Sequence, residues 1–471
     1  MRPICFRSYR PGFSGYGYGT NEFLNAFKRR GWRCSFQPDA LEKYTPCKEE
    51  IVIHSGFPHF FRMEPGKIHI GRVMLESDSL PRLWAEVLNT MDEVWVASAF
   101  NIKTFAAGGV DPKKLVVVPD MVDSRFAPPK KAKSDGKVFR FLSVFMDLSL
   151  RKGWEVMLHA FATQFPENKN VEWVVQCAPE SAKKLNAVIR TLKKRGHATG
   201  NIKVLGRTPT MEQLVKLYQS SDCYVLPTRG EGFGRPYLEA AASGLPVIAT
   251  GWSGQTDFLN DANSRLLKYK LVDVPAPDAL DCYFLAGQKW AEPSHDDLGK
   301  ALVEMLKRPK LAAVGLTPFT QNKVLEIIED RIAKIKLPRK PRKRKKLAPQ
   351  IIVYDDQWRA QQLGPKELGQ KLRGVWRDIA VCGTGRNAGQ LARFLLGEGF
   401  SVPYFVDRAA GRFMDKRVFT PETLPKIPKP DVALISTFPA SFPEWKELLR
   451  GKLHTVPVIF YEQTDQPLFI T

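Results

Sequence analysis

The sequence lacks long apolar runs, paired cysteines and enough acidic residues to balance its cations. None of its 471 residues fall in an uninterrupted stretch of 18 apolar residues, so no transmembrane helix is predicted. The opening MRPICFRSYRPG has too few apolar residues for a signal peptide, and we expect none. The seven cysteines are scattered without a CxxC pair, which argues against zinc and for reduced thiols in a cytoplasmic compartment.

The shortage of acid leaves a formal net charge of +22, from 71 Lys plus Arg against 49 Asp plus Glu. Such a balance favours anionic partners, which include nucleotides, phosphorylated acceptors, lipid headgroups and nucleic acid. Residues 334–346 hold nine Lys or Arg and no acid. This segment is a linker, a peripheral contact with an anionic membrane on the cytoplasmic side, or a nucleic-acid patch, and the sequence alone leaves all three open.

The length predicts about three domains, and strands alternate with helices throughout. A stretch rich in proline, lysine and glycine at 128–137 separates the first two units. We predict an N-terminal Rossmann-like domain at 1–128 and a second at 137–315. A helix and the basic linker follow at 316–350, and a small Rossmann-like domain is appended at 351–471.

The stretch 225–254, VLPTRGEGFGRPYLEAAASGLPVIATGWSG, reads as strand, glycine-rich loop, short helix and strand. Its glycines allow a ligand to approach the backbone, and the free amides that start the helix suit a phosphate. Glu231 and Glu239 flank that start. A phosphate cradle between two carboxylates suits a nucleotide-sugar, although two solvated surface glutamates fit the spacing equally well.

Two further stretches carry candidate site residues. A strand at 3–6, a loop containing Gly15, Gly17 and Gly19 and a helix from 21 to 30 form a Rossmann-like opening. Three aromatic residues of that loop are placed to line a cleft: Phe13, Tyr16 and Tyr18. His54 ends the strand at 50–54, where α/β sheets bind ligands. In the second domain, Arg151 and Lys152 precede a helix and are placed to bind phosphate.

The third unit has a strand at 378–382, then Gly383 and Gly385, then a second strand that ends in Asp407. Its third glycine is one place late for the dinucleotide fingerprint, and it shows no catalytic constellation. We therefore favour a docking or homo-oligomerisation role over cofactor binding.

The motif from Glu231 to Glu239, followed by AAASGLPVIA, resembles the donor-site signature of retaining glycosyltransferases of family 4, which have the GT-B fold. Supporting matches are Arg151-Lys152-Gly153 and the stretches 205–206, 222–227, 74–77, 92–98 and 117–123. The resemblance covers about residues 1–310. It departs from the family where the loop 145–150 lacks the usual Gly-Arg ahead of Lys-Gly.

The resemblance implies a hexosyltransferase of cell-surface polysaccharide biosynthesis, with an acceptor-side and a donor-side domain facing a cleft. It implies that Glu231, Lys152 and His54 serve catalysis. It assigns donor binding to a larger set, namely Gly15, Gly17, Arg151, Gly232, Phe233, Gly234 and Glu239.

The implied donor is a UDP- or GDP-sugar, the implied acceptor a glycan, lipid-linked or protein group, and no cofactor or metal is expected. Two alternatives from another class remain, a nucleic-acid-binding protein and a sugar-nucleotide-binding scaffold, each with a degenerate transferase core.

Overall fold

The computed structural model describes residues 2–8, 15–38, 46–58, 61, 63–64, 66–130, 138–274 and 288–335, and short segments between 350 and 461. Up to residue 335 the chain forms two α/β units, each on a six-stranded, wholly parallel sheet. This confirms the predicted fold class of two Rossmann-like domains. Both sheets are covered by helices, as parallel sheets require.

The N-terminal sheet has the strand order β2-β1-β3-β4-β5-β6, so its order reverses between β1 and β3. Ligands of such sheets bind beyond the carboxyl ends of the strands at that reversal. The elements are β1 (Ile4–Ser8), α1 (Gly15–Arg29), β2 (Cys34–Pro38), β3 (Ile51–Ser55), β4 (Ile68–Val73), α2 (Arg82–Leu88), β5 (Glu93–Val96), α3 (Ala99–Ala107) and β6 (Leu115–Val117).

Helix α1 corrects the predicted glycine loop, because Gly15, Gly17 and Gly19 lie in its first turns rather than before it. Each glycine costs a helix about 1 kcal/mol relative to alanine. The apolar face of α1 offsets that cost by burying Phe23 and Phe27 in the core of the domain. The low helix propensity of glycine therefore made the predicted start of this helix too late.

The second sheet has the order β12-β11-β10-β7-β8-β9, which reverses between β7 and β10. Its strands are β7 (Phe139–Val144), β8 (Val171–Gln176), β9 (Ile202–Leu205), β10 (Cys223–Leu226), β11 (Val247–Thr250) and β12 (Arg265–Leu267). Its helices are α4 (Trp154–Gln164), α5 (Pro179–Lys194), α6 (Met211–Gln219), α7 (Arg235–Ala242) and α8 (His295–Leu306). The loops after β7 and β10 carry the candidate phosphate and sugar residues.

An antiparallel ribbon of β13 (Tyr269–Asp273) and β14 (Lys289–Pro293), which the sequence analysis did not predict, leaves the second domain. The end of the ribbon away from the second domain contacts the N-terminal domain, since Lys289 and Asp78 exchange hydrogen bonds of 2.9 and 2.7 Å. The Ser77 hydroxyl donates to the side-chain oxygen of Gln288. The ribbon thus joins the two domains beside the cleft.

Helix α9 (Gln321–Lys334) returns the chain to the N-terminal domain. A helix was expected within 316–350. Four of its apolar side chains are buried in that domain's core: Val324, Leu325, Ile328 and Ile332. Burying such a side chain contributes about 1.5–3 kcal/mol. This helix therefore holds the second domain to the first.

The described segments beyond residue 350 form an eight-stranded sheet in the order β16-β15-β22-β21-β17-β18-β20-β19. The neighbours β22, β21, β17, β18 and β20 are parallel and the edges are antiparallel. The strands are β15 (Gln350–Tyr354), β16 (Ala360–Leu363), β17 (Ile379–Cys382), β18 (Phe405–Val406), β19 (Gly411–Phe413), β20 (Lys416–Phe419), β21 (Val432–Ile435) and β22 (Thr455–Tyr461). Gly383, Gly385 and residues 336–346 of the basic segment lie outside the described residues.

The prediction of reduced thiols was wrong for Cys5 and Cys47, which form a disulfide. They are 42 residues apart in the sequence, and the parallel pairing of β1 with β3 brings their segments together. The spacing of cysteines in the sequence could not reveal this disulfide, because it depends on which strands are neighbours in the sheet. Among the described residues, the free cysteines are Cys34, Cys177, Cys223 and Cys382. None of the described helices combines the length and apolar character that crossing a membrane requires.

Candidate active site

The candidate site lies where the second sheet reverses its strand order. Glu231 follows β10, and Arg151 and Lys152 follow the neighbouring strand β7. Because parallel strands end at the same edge, these two loops meet although 79 residues separate Lys152 from Glu231. Topology thus brings together three of the predicted site residues.

Lys152 Nζ lies 2.8 Å and Arg151 Nη1 3.3 Å from the same oxygen of Glu231. All three side chains are at most 18% exposed. Burial raises the pKa of Glu231, but the Lys152 ammonium and the Arg151 guanidinium lower it more, and its net pKa lies below the ordinary value. Glu231 is therefore ionised at neutral pH, and two cations are fixed beside it.

The loop that carries Glu231 fits closely against its surroundings. The amide of Glu231 donates to Ser253 Oγ at 2.9 Å, and its carbonyl accepts from the Gly254 amide at 2.8 Å. Gly234 has a φ of +91° and precedes α7, a conformation that other residues adopt only with strain. The loop therefore reaches the N-terminus of α7 in a single, defined path.

This loop also contacts the N-terminal domain. A Cβ on Gly230 would lie 1.9 Å from the carbonyl oxygen of Glu76, and one on Gly232 would lie 2.6 Å from Met74 Cβ. Ser98 Oγ donates to the Gly232 carbonyl at 2.7 Å. The glycines thus permit a backbone-to-backbone contact across the cleft, and the structure shows the cleft closed at this point.

Glu239, on α7, is buried in a group of charges drawn from both domains. It accepts a hydrogen bond from the Tyr218 hydroxyl at 3.0 Å, and Arg235 lies 4.0 Å away. Burial raises its pKa to about 7, with Glu22 and Asp123 adding to the rise and Arg235 opposing it. Glu239 is therefore half protonated near neutral pH.

Helix α1 faces this group from the N-terminal domain. The Tyr18 ring lies under the Arg235 guanidinium at 4.0 Å, and Gly19 is 3.8 Å from Arg235 when a Cβ is added. Gly17 is buried in the same helix turn. The segment expected to close over the donor therefore does lie opposite α7, as a helix instead of a loop.

His54 is where the sequence placed it, near the end of β3, but its side chain is completely buried. Its Nε2 is 3.0 Å from Nδ1 of His69, and its ring packs on Phe61. Burial and the neighbouring His69 lower its pKa well below the usual value, so it is neutral. The structure does not place His54 with the Glu231 group, and its catalytic assignment gains no support.

Four residues in or beside the candidate site were not assigned roles from the sequence: Arg235, Glu76, Ser253 and Asp257. Arg235 stands inside the recognised motif, so its position was visible but its contact with Tyr18 was not. Ser253 has a φ of +78°, unusual for a residue with a side chain, and it lies in the GWSG loop. Its contact with Glu231 depends on the pairing of β10 with β11, which spacing does not reveal.

Comparison with known proteins identifies the second domain. Residues 137–279 match the family model described as "Glycosyl transferases group 1". The second domain is therefore similar to this family over the matched segment. That segment contains Arg151, Lys152, Glu231 and Glu239.

Curated relatives resemble the chain over part of their length. The D-inositol 3-phosphate glycosyltransferase of Segniliparus rotundus is 29% identical over 218 residues, which are 44% of each chain. The O-antigen chain mannosyltransferase B of Escherichia coli is 37% identical over 105 residues, 22% of this chain and 26% of the relative. The chain thus spans less than half the length of these relatives.

Among solved structures, Anabaena Alr3699/HepE in complex with UDP and glucose superposes with a TM-score of 0.53 at 12% identity. The match covers 71% of this chain and all of that one. It shows that the first two domains share the fold of that protein.

Proposed function

We propose that this protein is a retaining hexosyltransferase that moves a sugar from a nucleotide-sugar to an acceptor. The observation that carries the proposal is the convergence of Arg151 and Lys152 on Glu231 at the strand-order reversal of a domain similar to glycosyl transferases group 1. The names of the relatives and the UDP and glucose bound by Anabaena Alr3699/HepE support it.

The donor's diphosphate would lie on Arg151, Lys152 and the amides of Gly232–Gly234 at the start of α7. Fixed cations and helix amides stabilise the charge that develops on a departing diphosphate. The position of Lys152 is preorganised, because its ammonium already lies 2.8 Å from a carboxylate oxygen of Glu231. Two half-buried cations supply this charge without a divalent metal, and we propose a metal-independent reaction.

The two glutamates would bind different parts of the donor. Glu231, ionised and next to the cations, would accept hydrogen bonds from hydroxyls of the transferred sugar. Glu239, about one turn into α7, would accept hydrogen bonds from the ribose hydroxyls. The Phe233 ring is buried against Phe258 and Phe319 and therefore supports the loop. The backbone amide of Phe233, and not its ring, would bind the donor.

Bond breaking at the anomeric carbon would give an oxocarbenium-like sugar and a diphosphate leaving group. The acceptor hydroxyl would attack on the face that the diphosphate leaves, and a phosphate oxygen would take its proton. No protein nucleophile is needed, and the anomeric configuration is kept. Proton NMR of the first-formed product, read from its anomeric coupling, tests this; an inverted anomer would contradict it.

Thermal-shift measurements against a panel of UDP-, GDP- and ADP-sugars test donor binding. A ligand that binds the native state raises its stability by RT ln(1 + [L]/Kd), or about 2.7 kcal/mol at a hundredfold excess over Kd. We expect at least one donor to raise the melting temperature of the wild-type protein, and to raise that of Glu231→Gln less. No shift with any donor would contradict the proposal.

The same assay separates the alternatives. Tight, salt-sensitive nucleic-acid binding through the basic segment 334–346, without donor binding, would indicate a nucleic-acid-binding protein instead. Donor binding without nucleotide release in the presence or absence of acceptor would indicate a scaffold. The cytoplasmic location, membrane contact through 334–346 and oligomerisation through 351–471 stay predictions.

A further inference from the structure

Three aromatic rings from both domains form a continuous strip that begins beside Glu231. Trp252, in the loop after β11, lies 3.1 Å from a Cβ added to Gly230, the residue before Glu231. The Phe100 ring, at the start of α3 in the N-terminal domain, meets it edge to face with centroids 4.9 Å apart. The ring of Tyr269, on the ribbon, has its centroid 6.5 Å from that of Trp252.

The strip reaches solvent on the ribbon. Tyr269 is 40% exposed, and Leu271 beside it on the same strand face is 46% exposed, while Phe100 and Trp252 are half-buried. Large apolar side chains this exposed are few in the described part of the chain. An exposed apolar surface that continues into a proposed active site indicates a ligand contact.

The chemistry of the strip favours sugar rings over an acyl chain. One face of a pyranose presents C–H bonds, which pack on the negative face of an aromatic ring, while its hydroxyls point to the edges. The surroundings include polar groups: exposed Lys268 precedes Tyr269, and Asp257 lies beside Phe100, where its carboxylate accepts from the Ala99 amide at 2.6 Å. An acyl chain would instead need a continuous aliphatic groove.

We propose that Phe100, Trp252 and Tyr269 form an acceptor subsite that binds the pyranose rings of a glycan. This rests on the proposed transferase function, because the strip leads to Glu231. It names the acceptor class as a glycan, with its growing end at Glu231 and the preceding rings on Trp252 and Tyr269.

Saturation-transfer NMR tests the subsite with four probes, mannotriose, maltotriose, cellotriose and chitotriose, on the full-length protein. We expect at least one trisaccharide to receive saturation, most strongly at its ring C–H protons. Tyr269→Ala should reduce that signal several-fold, and the matched control Tyr269→Phe, which keeps the ring, should retain it. Octyl glucoside below its critical micelle concentration should receive saturation at the sugar more than at the alkyl chain.

Absence of a signal from all four trisaccharides, equal signals from Tyr269→Ala and Tyr269→Phe, or saturation mainly on the octyl chain would overturn the inference. Donor binding is measured by thermal shift on the same protein preparations. We expect it to depend on Lys152 and to be unchanged in the Tyr269 variants. Intact donor binding with failed trisaccharide binding refutes the subsite alone. Failure of donor binding refutes the transferase function itself.

Discussion

At the scale of single residues, the site depends on how burial and neighbouring charges divide the roles of two glutamates. Glu231 has two cations at hydrogen-bond or ion-pair distance and a lowered pKa. Glu239 has one arginine at 4.0 Å and a pKa raised to about 7 by burial. The sequence located both carboxylates but showed neither environment, because the partners come from other strands and from the opposite domain.

Glu239 makes donor binding depend on pH. Its raised pKa means that the carboxyl is protonated below about pH 7 and then loses an acceptor for ribose hydroxyls. The ionisable groups that face Glu239 are Glu22, Asp123, Tyr18, Tyr218 and Arg235. Because the ionised fraction of Glu239 falls about tenfold from about pH 8 to about pH 6, we expect donor affinity to fall by the same factor. Calorimetric titration measures this.

A sugar nucleotide is the right probe for that titration, because its diphosphate has both ends esterified and does not titrate in this range. The Glu239→Gln variant is the control. It cannot ionise, so its affinity should be weaker and level across the same pH range. An equally steep pH dependence in Glu239→Gln would show that another group titrates.

At the scale of elements, sequence patterns placed most of the strands and helices of the first two domains. The strands predicted at 3–6 and 50–54 are observed as β1 and β3, with bounds that differ by one or two residues. The failures have physical causes. Helix α1 begins earlier because its buried phenylalanines outweigh its glycines. Strand β13 is exposed along almost its whole length and gives no core signal. The disulfide depended on strand order.

The turn before α4 offers a test of how tightly the phosphate loop is built. Gly153 has a φ of +62°, and a Cβ there would lie 1.9 Å from the Pro227 carbonyl oxygen. Gly196 has a φ of +79° with open space around it. Alanine at either position costs about 1–2 kcal/mol of backbone strain. Only Gly153→Ala adds a steric clash, with the backbone of the loop that follows β10.

We therefore expect Gly153→Ala to lower the melting temperature more than Gly196→Ala and to weaken donor binding by displacing Lys152. Differential scanning fluorimetry and donor titration of both variants measure these effects. Equal melting temperatures for the two variants, or unchanged donor affinity in Gly153→Ala, would show that the loop does not depend on this contact.

At the scale of the whole molecule, the two domains are held together by contacts at the cleft and by α9 behind it. One cleft contact is the Asp257 carboxylate on the Ala99 amide, which satisfies a free N–H at the start of α3 across the domain boundary. The sequence predicted two domains and a cleft, but it did not predict that such contacts would close the cleft.

Asp257→Ala should shift the molecule toward a more open arrangement, because it leaves that amide unpaired in the closed state. We expect a larger radius of gyration by small-angle X-ray scattering, reversed by a donor that binds both domains. Asp261→Ala, an exposed acid four residues away, is the matched control and should scatter like the wild-type protein. Identical scattering from the two variants would argue against this contact as a determinant of closure.

The central claim is that Lys152, with Arg151, carries the charge of a departing nucleoside diphosphate. The most direct measurement is release of the nucleoside diphosphate from the donor that gives the largest thermal shift, for the wild-type protein, Lys152→Ala and the control Lys113→Ala. Lys113 is an exposed lysine in the N-terminal domain. We predict that Lys152→Ala lowers the release rate on the order of 10²–10³-fold while Lys113→Ala leaves it unchanged, and release at the wild-type rate in Lys152→Ala would contradict the claim.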